Sequence, residues 1–250
     1  MRFKNQVAVI TGGARDIGRE ISLRLAKEGA KVIVNYFGSE EAALETVSEI
    51  KQQGGEAIAV KGDMTKAADV QRLLDETRKL FGERVHILVN NAGGLVGRKT
   101  VEEMDEIFWD YVMNVNIKSV FLVVKYFSQL MPKGASIINL SSTAAKDGGG
   151  AGACAYATSK GAVSAFTRAM AKELGPRGIR VNALCPGMID TAFHDKFTKP
   201  EMRHSYENTA PLRRQGQASE IADAVAFLAS EESSFITGAN IDINGGVLFS

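Results

Sequence analysis

The sequence predicts a single α/β domain built on a doubly wound parallel sheet. Short β-branched or apolar runs alternate with helical patterns from one end of the 250 residues to the other, and no linker, repeat or low-complexity tract separates them. At 45% hydrophobic and 24% charged content, the chain has enough apolar material for one large core. A parallel sheet covered on both faces binds ligands at the carboxyl ends of its strands, so the chemistry is expected just after each strand ends.

The first strand is read at 7–11, VAVIT, and the first helix at 17–28, after the glycine-bearing turn TGGARDIG. Strands at 31–36 and 56–61 flank a helix at 40–53, and a helix at 67–81 leads to a strand at 86–90. A long apolar pattern at 115–131 reads as the next helix. The run SIINL at 136–140 is a buried strand that delivers Ser141 and Ser142 to the ligand edge, ahead of the flexible Gly148-Gly149-Gly150. A helix at 155–174, a strand at 180–185, a helix at 219–229 and a strand at 240–244 complete the alternation. One segment breaks it. Residues 188–217 carry Pro200, Pro211, His194, His204 and many charges beside the ligand edge, and are expected to form a substrate lid.

A formal net charge of +1 without long basic runs gives no electrostatic reason to expect nucleic acid or an anionic membrane as partner. The N-terminus enters a strand with no signal core, and no window approaches 18 unbroken apolar residues, so a cytoplasmic protein without a membrane partner is expected. Cys154 and Cys185 have neither metal-ligand spacing nor a disulfide framework, and His86, His194 and His204 form no ligand cluster. No metal site is expected.

The turn from Gly12 to Gly18 allows close backbone approach and opens a helix whose free N–H groups suit a pyrophosphate. Tyr156 and Lys160 stand four apart at the start of a helix, hence on one face, where an ammonium can favour the ionised phenol. Such a tyrosine exchanges a proton with an alcohol or carbonyl. Upstream lie Asn90-Asn91-Ala92-Gly93 and Asn114-Val115-Asn116.

Taken together, these motifs resemble the short-chain dehydrogenase/reductase family over essentially the whole chain. Its marks occur in order: the TG turn at 11–18, Asp63 after the third strand, NNAG at 90–93, an asparagine before the fifth strand, a serine, YxxxK, Pro186-Gly187, and a terminal Ile236-Thr237-Gly238 with Asp242 and Gly245-Gly246. The resemblance implies a Rossmann fold in which Tyr156 is general acid in reduction and base in oxidation, with Ser142 holding the substrate oxygen. Lys160 would lower the Tyr156 pKa and hold the nicotinamide ribose, and Asn116 would anchor a water joining Lys160 to solvent. Asn116 is preferred to Asn114 because the family's asparagine precedes an apolar residue and, two further on, a small one. Gly12, Ile17 and Gly18 would cradle the pyrophosphate, and Asp63 and Met64 would meet the adenine. Asn90, Ala92 and Gly93 would flank the adenosine ribose, while Pro186, Gly187, Ile189 and Thr191 would border the nicotinamide.

Two departures stand out. The family usually has glycine at position 16, and the Ser142-to-Tyr156 interval of 14 is one residue longer than its commonest value, which leaves Ser141 as a second candidate hydroxyl. An Asp16 carboxylate about 6 Å from a phosphate charge, at an effective dielectric of about 20, would cost on the order of 3 kcal/mol. A cap or dipole interaction returns only about 1 kcal/mol. The side chain is therefore expected to turn away, capping the helix or pairing with Arg15 or Arg19.

The second strand ends at Tyr36 with no acid before Glu40, and Arg15 matches the basic residue that NADP-preferring relatives often carry in the glycine motif. Tyr36 and Arg15 thus join the expected cofactor contacts, and NADP is favoured over NAD. The nearest resemblance is to 3-oxoacyl-[acyl-carrier-protein] reductases, with sugar (glucose-type) dehydrogenases and broad ketone reductases as alternatives and a non-catalytic dinucleotide-sensing module as the reading from another class. The substrate is expected to be a small-molecule or acyl-carrier-bound carbonyl. Arg177 falls where those reductases carry a carrier-contacting arginine, while the shorter segment around Pro132-Lys133-Gly134 offers a lysine. Relatives commonly form homotetramers through helices matching 115–131 and 155–174 and through the last strand, and the apolar Val247-Leu248-Phe249 suits such a contact.

Overall fold

The computed structural model describes residues 1–249. Strands β1 (Val7–Thr11), β2 (Lys31–Tyr36), β3 (Glu56–Lys61), β4 (Ile87–Asn90), β5 (Ser136–Leu140), β6 (Arg180–Pro186) and, last in the chain, β9 (Asn240–Ile243) form one sheet in the order β3-β2-β1-β4-β5-β6-β9. Every pairing in it is parallel. Because both faces are covered, both sets of alternating side chains are apolar. In β1, Ala8 and Ile10 pack with Ile21 and Leu25 of α1 (Asp16–Lys27) and with Ile221 and Val225 of α10 (Ala218–Ala229). Val7 and Val9 face the other way, towards Leu73 and Leu74 of α3 (Ala67–Phe81), Val123 and Phe127 of α5 (Ser119–Phe127), and Val163 of α7 (Cys154–Leu174). The helix α2 (Glu40–Gln52) covers the β2–β3 end through Ala43, Val47 and Ile50. After β3 the chain returns to place β4 on the opposite side of β1, so the crevice for ligands opens at the carboxyl ends of β1 and β4.

The helix expected at 115–131 is longer and broken. It begins as α4 (Glu106–Met113), capped by the Asp105 carboxylate accepting from Phe108 N at 2.7 Å. A π-helical turn, Asn114–Lys118, joins it to α5, and a 3₁₀ turn, Ser128–Leu130, ends it. The start was illegible because Ile107 and Tyr111 are 82% and 53% exposed, so the apolar residues do not lie on one face. Among the described residues this run, Glu106–Leu130, is the one helix long and apolar enough to cross a membrane by length and composition. A short α6 (Ala144–Asp147) follows β5, and Gly148, Gly149 and Gly152 all take left-handed backbone angles, which turn the chain towards α7.

Residues 188–217 hold more structure than a plain loop. β7 (Ile189–Asp190) pairs in parallel with β8 (Gly216–Gln217), closing the base of the excursion, and α8 (Ala192–Phe197) and α9 (Pro200–Thr209) fill it. From α9 the Tyr206 hydroxyl donates to Asn244 O at 2.7 Å, and Leu212 N donates to Gly245 O at 3.1 Å.

Candidate active site

The turn after β1 is braced from two sides. The Thr11 hydroxyl accepts from Asn91 N at 3.0 Å and Ala92 N at 3.1 Å, and Asn91 Nδ2 donates to Gly12 O at 2.9 Å. At the end of β2, Asn35 accepts from Gly12 N through Oδ1 at 3.3 Å and from Gly13 N through its carbonyl at 2.9 Å. Asn35 carries no mark in the sequence, since the turn it braces lies more than twenty residues away. Gly12 has φ of 62°, and a Cβ at Gly18 would run into Gly12 O, so the tight turn requires both glycines. α1 opens with Arg15 as N-cap and no side-chain cap, leaving the N–H groups of its first turn for an anion. The expected roles of Asp16 as a cap or a partner of Arg15 or Arg19 are not what forms. Asp16 takes φ of 49°, which sends its carboxylate across the crevice, where Oδ1 accepts from Ala192 N at 3.1 Å. Arg19 pairs with Glu20 and Glu49, and Arg15 is exposed without an ion pair among the described residues.

Farther along the edge, Tyr36 is 8% exposed; burial raises its phenol above the usual range, with a hydrogen bond to Glu40 acting in the same sense. Asp63 Oδ1 accepts from Thr65 N at 3.0 Å and from the Thr65 hydroxyl at 2.7 Å, while Met64 is buried beside it. Asn90 Nδ2 donates to Asn139 Oδ1 at 2.8 Å, whose own amide donates to Thr167 at 2.9 Å, so Asn90 ties three elements together beneath the crevice. Gly93 has no room for a side chain: a Cβ would sit 2.6 Å from Asn116 Oδ1 and 3.3 Å from Lys160 Nζ. The π-helical turn aims Asn116 inward, where Oδ1 accepts from Gly94 N at 2.9 Å and Nδ2 donates to Gly94 O at 2.9 Å and Val112 O at 3.0 Å. Both amide N–H groups of Asn116 are thus committed to protein, and its side chain braces the Gly93–Gly94 backbone.

Ser142, Tyr156 and Lys160 come together at the ends of β5 and α7. The Ser142 hydroxyl accepts from Ala144 N at 3.1 Å and faces the Tyr156 phenol, whose pKa it acts to lower. Ser141 points the other way, donating to Lys160 O at 2.9 Å and meeting the Ser164 hydroxyl at 2.8 Å, and is 4% exposed. The tertiary arrangement therefore separates the two serines that sequence left open. Lys160 Nζ donates to Leu140 O at 2.7 Å and lies 5.7 Å from the Tyr156 ring centroid. Burial lowers Lys160 to about 8. Burial also pushes the Tyr156 phenol above its usual range, and the Ser142 hydroxyl pulls it only partly back. The lowering of Tyr156 by Lys160 is therefore not found here: the ammonium lies over the ring and is bonded to Leu140 O, and loss of water dominates.

Pro186 closes β6, and Thr143 N donates to its carbonyl at 3.0 Å. Gly187 passes so close to the Tyr206 hydroxyl that a Cβ would overlap it. Ile189 is buried, and the Thr191 hydroxyl donates to Ile189 O at 3.1 Å. The segment at 188–217 also brings Phe193 to Tyr156, ring centroids 6.4 Å apart, with Phe197 5.2 Å and His194 5.0 Å from Phe193. Burial, assisted by Arg203 and Arg98, lowers His194 to about 4, so it is neutral at physiological pH. This aromatic wall was missed from sequence because nothing local marks Phe193 as facing residue 156.

Residues 12–248 match a family model described as enoyl-(acyl carrier protein) reductase. The chain is similar to the 3-oxoacyl-[acyl-carrier-protein] reductase FabG of Staphylococcus aureus, 39% identical over 242 residues that cover 96% of this chain and 97% of the relative. It is 38% identical to the FabG of Staphylococcus epidermidis over 245 residues, 97% and 99% of the two chains. Among solved structures, a short-chain dehydrogenase/reductase from Serratia marcescens superposes with a TM-score of 0.93 at 36% identity, covering 99% of both chains. A blue fluorescent protein from a metagenomic library, solved in complex with NADPH, gives a TM-score of 0.93 at 33% identity over 100% of both chains.

Proposed function

The chain belongs to the short-chain dehydrogenase/reductase family and is an NAD(P)-dependent oxidoreductase, and from that premise we propose that it reduces a carbonyl to a secondary alcohol with NADPH, in the manner of 3-oxoacyl-[acyl-carrier-protein] reductases. The observation that carries this reading is the meeting of Ser142, Tyr156 and Lys160 beside the glycine turn. The residues fit a dinucleotide: Gly12, Gly18 and Gly93 let the turn after β1 and the loop after β4 pack closely against neighbouring protein atoms, and the uncapped first turn of α1 offers donors to a pyrophosphate. Gly12, Ile17 and Gly18 would hold that group, Asp63 and Met64 the adenine, Asn90, Ala92 and Gly93 its ribose, and Pro186, Gly187, Ile189 and Thr191 the nicotinamide. Arg15, exposed at the N-cap of α1 and without an ion pair among the described residues, favours a 2′-phosphate, hence NADPH over NADH.

Bound NADPH supplies the hydride. The substrate oxygen is held by the Ser142 hydroxyl, and the Tyr156 phenol, kept neutral by burial, donates its proton to that oxygen. Lys160 stands beside the ring with Nζ within reach of the Gly93 backbone, suited to a ribose hydroxyl, and Asn116 keeps that backbone in place. A water link from Asn116 to Lys160 remains part of the proposal and would replenish the proton. Residues 188–217 act as the lid, with Phe193 bounding the substrate space at Tyr156.

A carrier-bound substrate is supported by Arg177 and Lys133, both exposed, with the Lys133 stem against Gly178. A homotetramer is supported by exposed apolar residues at two places, Ile107, Tyr111 and Phe121 on α4 and α5, and Phe235 and Phe249 near the C-terminus. A cytoplasmic setting belongs to the same reading. The test is a turnover screen of 3-oxoacyl thioesters, free or carrier-bound, simple ketones and sugars with NADPH and NADH. Reduction of thioesters with NADPH supports the proposal, preferred oxidation of sugars replaces it with the dehydrogenase reading, and no turnover with measurable dinucleotide binding replaces it with the sensing module. In Arg15→Ala the NADPH/NADH ratio of kcat/KM is expected to fall about tenfold or more; an unchanged ratio removes Arg15 from the site.

A further inference from the structure

We propose that Asp16 is a positioning residue, a latch that joins the phosphate-side turn to the lid by holding the first N–H of α8. Its Oδ1 accepts from Ala192 N at 3.1 Å across 176 residues of sequence, so the contact has no local origin. The backbone at Asp16 is left-handed, with φ of 49°, a conformation that glycine adopts freely and that aspartate tolerates better than most other residues. A glycine would serve the turn equally well without a side chain. What the carboxylate adds is the bond to the lid, for α1 has no side-chain cap and Arg19 is engaged by Glu20 and Glu49.

The receiving end needs such a partner. α8 spans six residues, Ala192–Phe197, and its Thr191 N-cap makes no side-chain cap. The two acids nearest α8 in the chain, Asp190 and Asp195, both pair with Arg203 of α9. α9 is anchored to the body through Tyr206 and Asn244, and the base of the lid is closed by the pairing of β7 with β8. α8 is reached from outside at its two ends, by Asp16 at Ala192 and by Arg98, which donates to Phe197 O at 3.4 Å. Between those ends sits Phe193, the ring that meets Tyr156. Holding Ala192 therefore seats both Thr191 and Phe193 along the reacting edge.

The experiment compares Asp16→Gly, which keeps the left-handed turn and removes the acceptor, with Asp16→Asn, which keeps an oxygen acceptor without the charge. Amide hydrogen exchange is measured on the dinucleotide-free protein. A bond to a charged acceptor governs local opening by about tenfold or more, so Asp16→Gly is expected to speed exchange over 192–198 by about that factor while α7 is unaffected. Asp16→Asn is expected to recover part of the protection. Unchanged exchange over 192–198 in Asp16→Gly, acceleration spread equally into α7, or no recovery in Asp16→Asn overturns the proposal. This arm requires no turnover, so it stands or falls separately from the reductase reading. A kinetic arm rests on that reading: Asp16→Gly should raise the KM of the carbonyl substrate by a larger factor than it lowers kcat, and a fall in kcat at unchanged KM argues against a lid role.

Discussion

Lys160, Ser141 and Asn116 are 5%, 4% and 0% exposed, and each is bonded to backbone or hydroxyl groups of neighbouring elements. At α8 the contacts have the opposite character: Asp16 and Arg98 reach it through solvent-facing hydrogen bonds, and its aromatic side chains lean on one another. Hydrogen bonds in a low-dielectric interior are strong and costly to leave unmade, whereas those exposed to water exchange with solvent at little cost. The floor of the crevice is thus held by buried bonds, and the segment above it, proposed as a lid, by exposed ones. Catalysis by positioned proton donors needs the first property, and admission of a substrate needs the second.

The comparison can be tested by removing groups from floor and roof in turn. The largest effect is expected at the floor. Tyr156→Phe keeps the ring and loses the proton, so kcat should fall by roughly 100- to 10,000-fold with dinucleotide binding by calorimetry unchanged. Near-normal turnover would take Tyr156 out of the chemistry. The two serines should then divide cleanly. Ser142→Ala is expected to lower kcat about a hundredfold at unchanged melting temperature. Ser141→Ala is expected to cost about 1 to 3 kcal/mol of stability, through the buried Lys160 and Ser164 partners, with a smaller kinetic effect. The reverse pattern would exchange their roles.

Lys160→Met follows, with dinucleotide affinity expected to drop about tenfold. Its pH behaviour has a definite sign. Lys160 is held at about 8 in the fold, against about 10.4 in the unfolded chain, so between those values the unfolded state binds the additional proton. From pH 8 to 10 (roughly that window) the group therefore makes the protein relatively more stable as pH rises, by on the order of a few kcal/mol. Denaturant titrations should show that slope in the parent and its loss in Lys160→Met; identical slopes would mean Lys160 keeps its ordinary affinity for protons. Over the same range the parent should lose dinucleotide affinity as the ammonium deprotonates. The smallest effect belongs to the roof. Tyr206→Phe removes the bond to Asn244 O and should cost about 1 kcal/mol, or roughly 2 to 4 °C, with carbonyl KM changed only a few-fold.

Much of the molecule was legible beforehand because local physics decides it. Strands at Val7–Thr11, Lys31–Tyr36, Glu56–Lys61 and Ser136–Leu140 have the expected bounds, since β-branched runs bounded by turn residues on a doubly covered sheet leave little choice. The helix at Glu106–Met113 was hidden because its exposed Ile107 and Tyr111 blur the amphipathic signal. The identity of the glycine turn, the serine pair and the Tyr156–Lys160 spacing was likewise present in the order of residues, for spacing of four on a helix is a local property.

What no local pattern contains is which side chains meet across the chain. Only the folded arrangement turns Ser142 to Tyr156 and Ser141 to Ser164, lays the Lys160 ammonium over a ring beside Leu140 O, and carries Asp16 across to Ala192. Those outcomes depend on the end positions of strands and loops that are distant in sequence, and on burial, which raises Tyr156 and lowers Lys160 through loss of water. Desolvation and long-range contact are properties of the packed structure, and the sequence specifies them only through the fold as a whole.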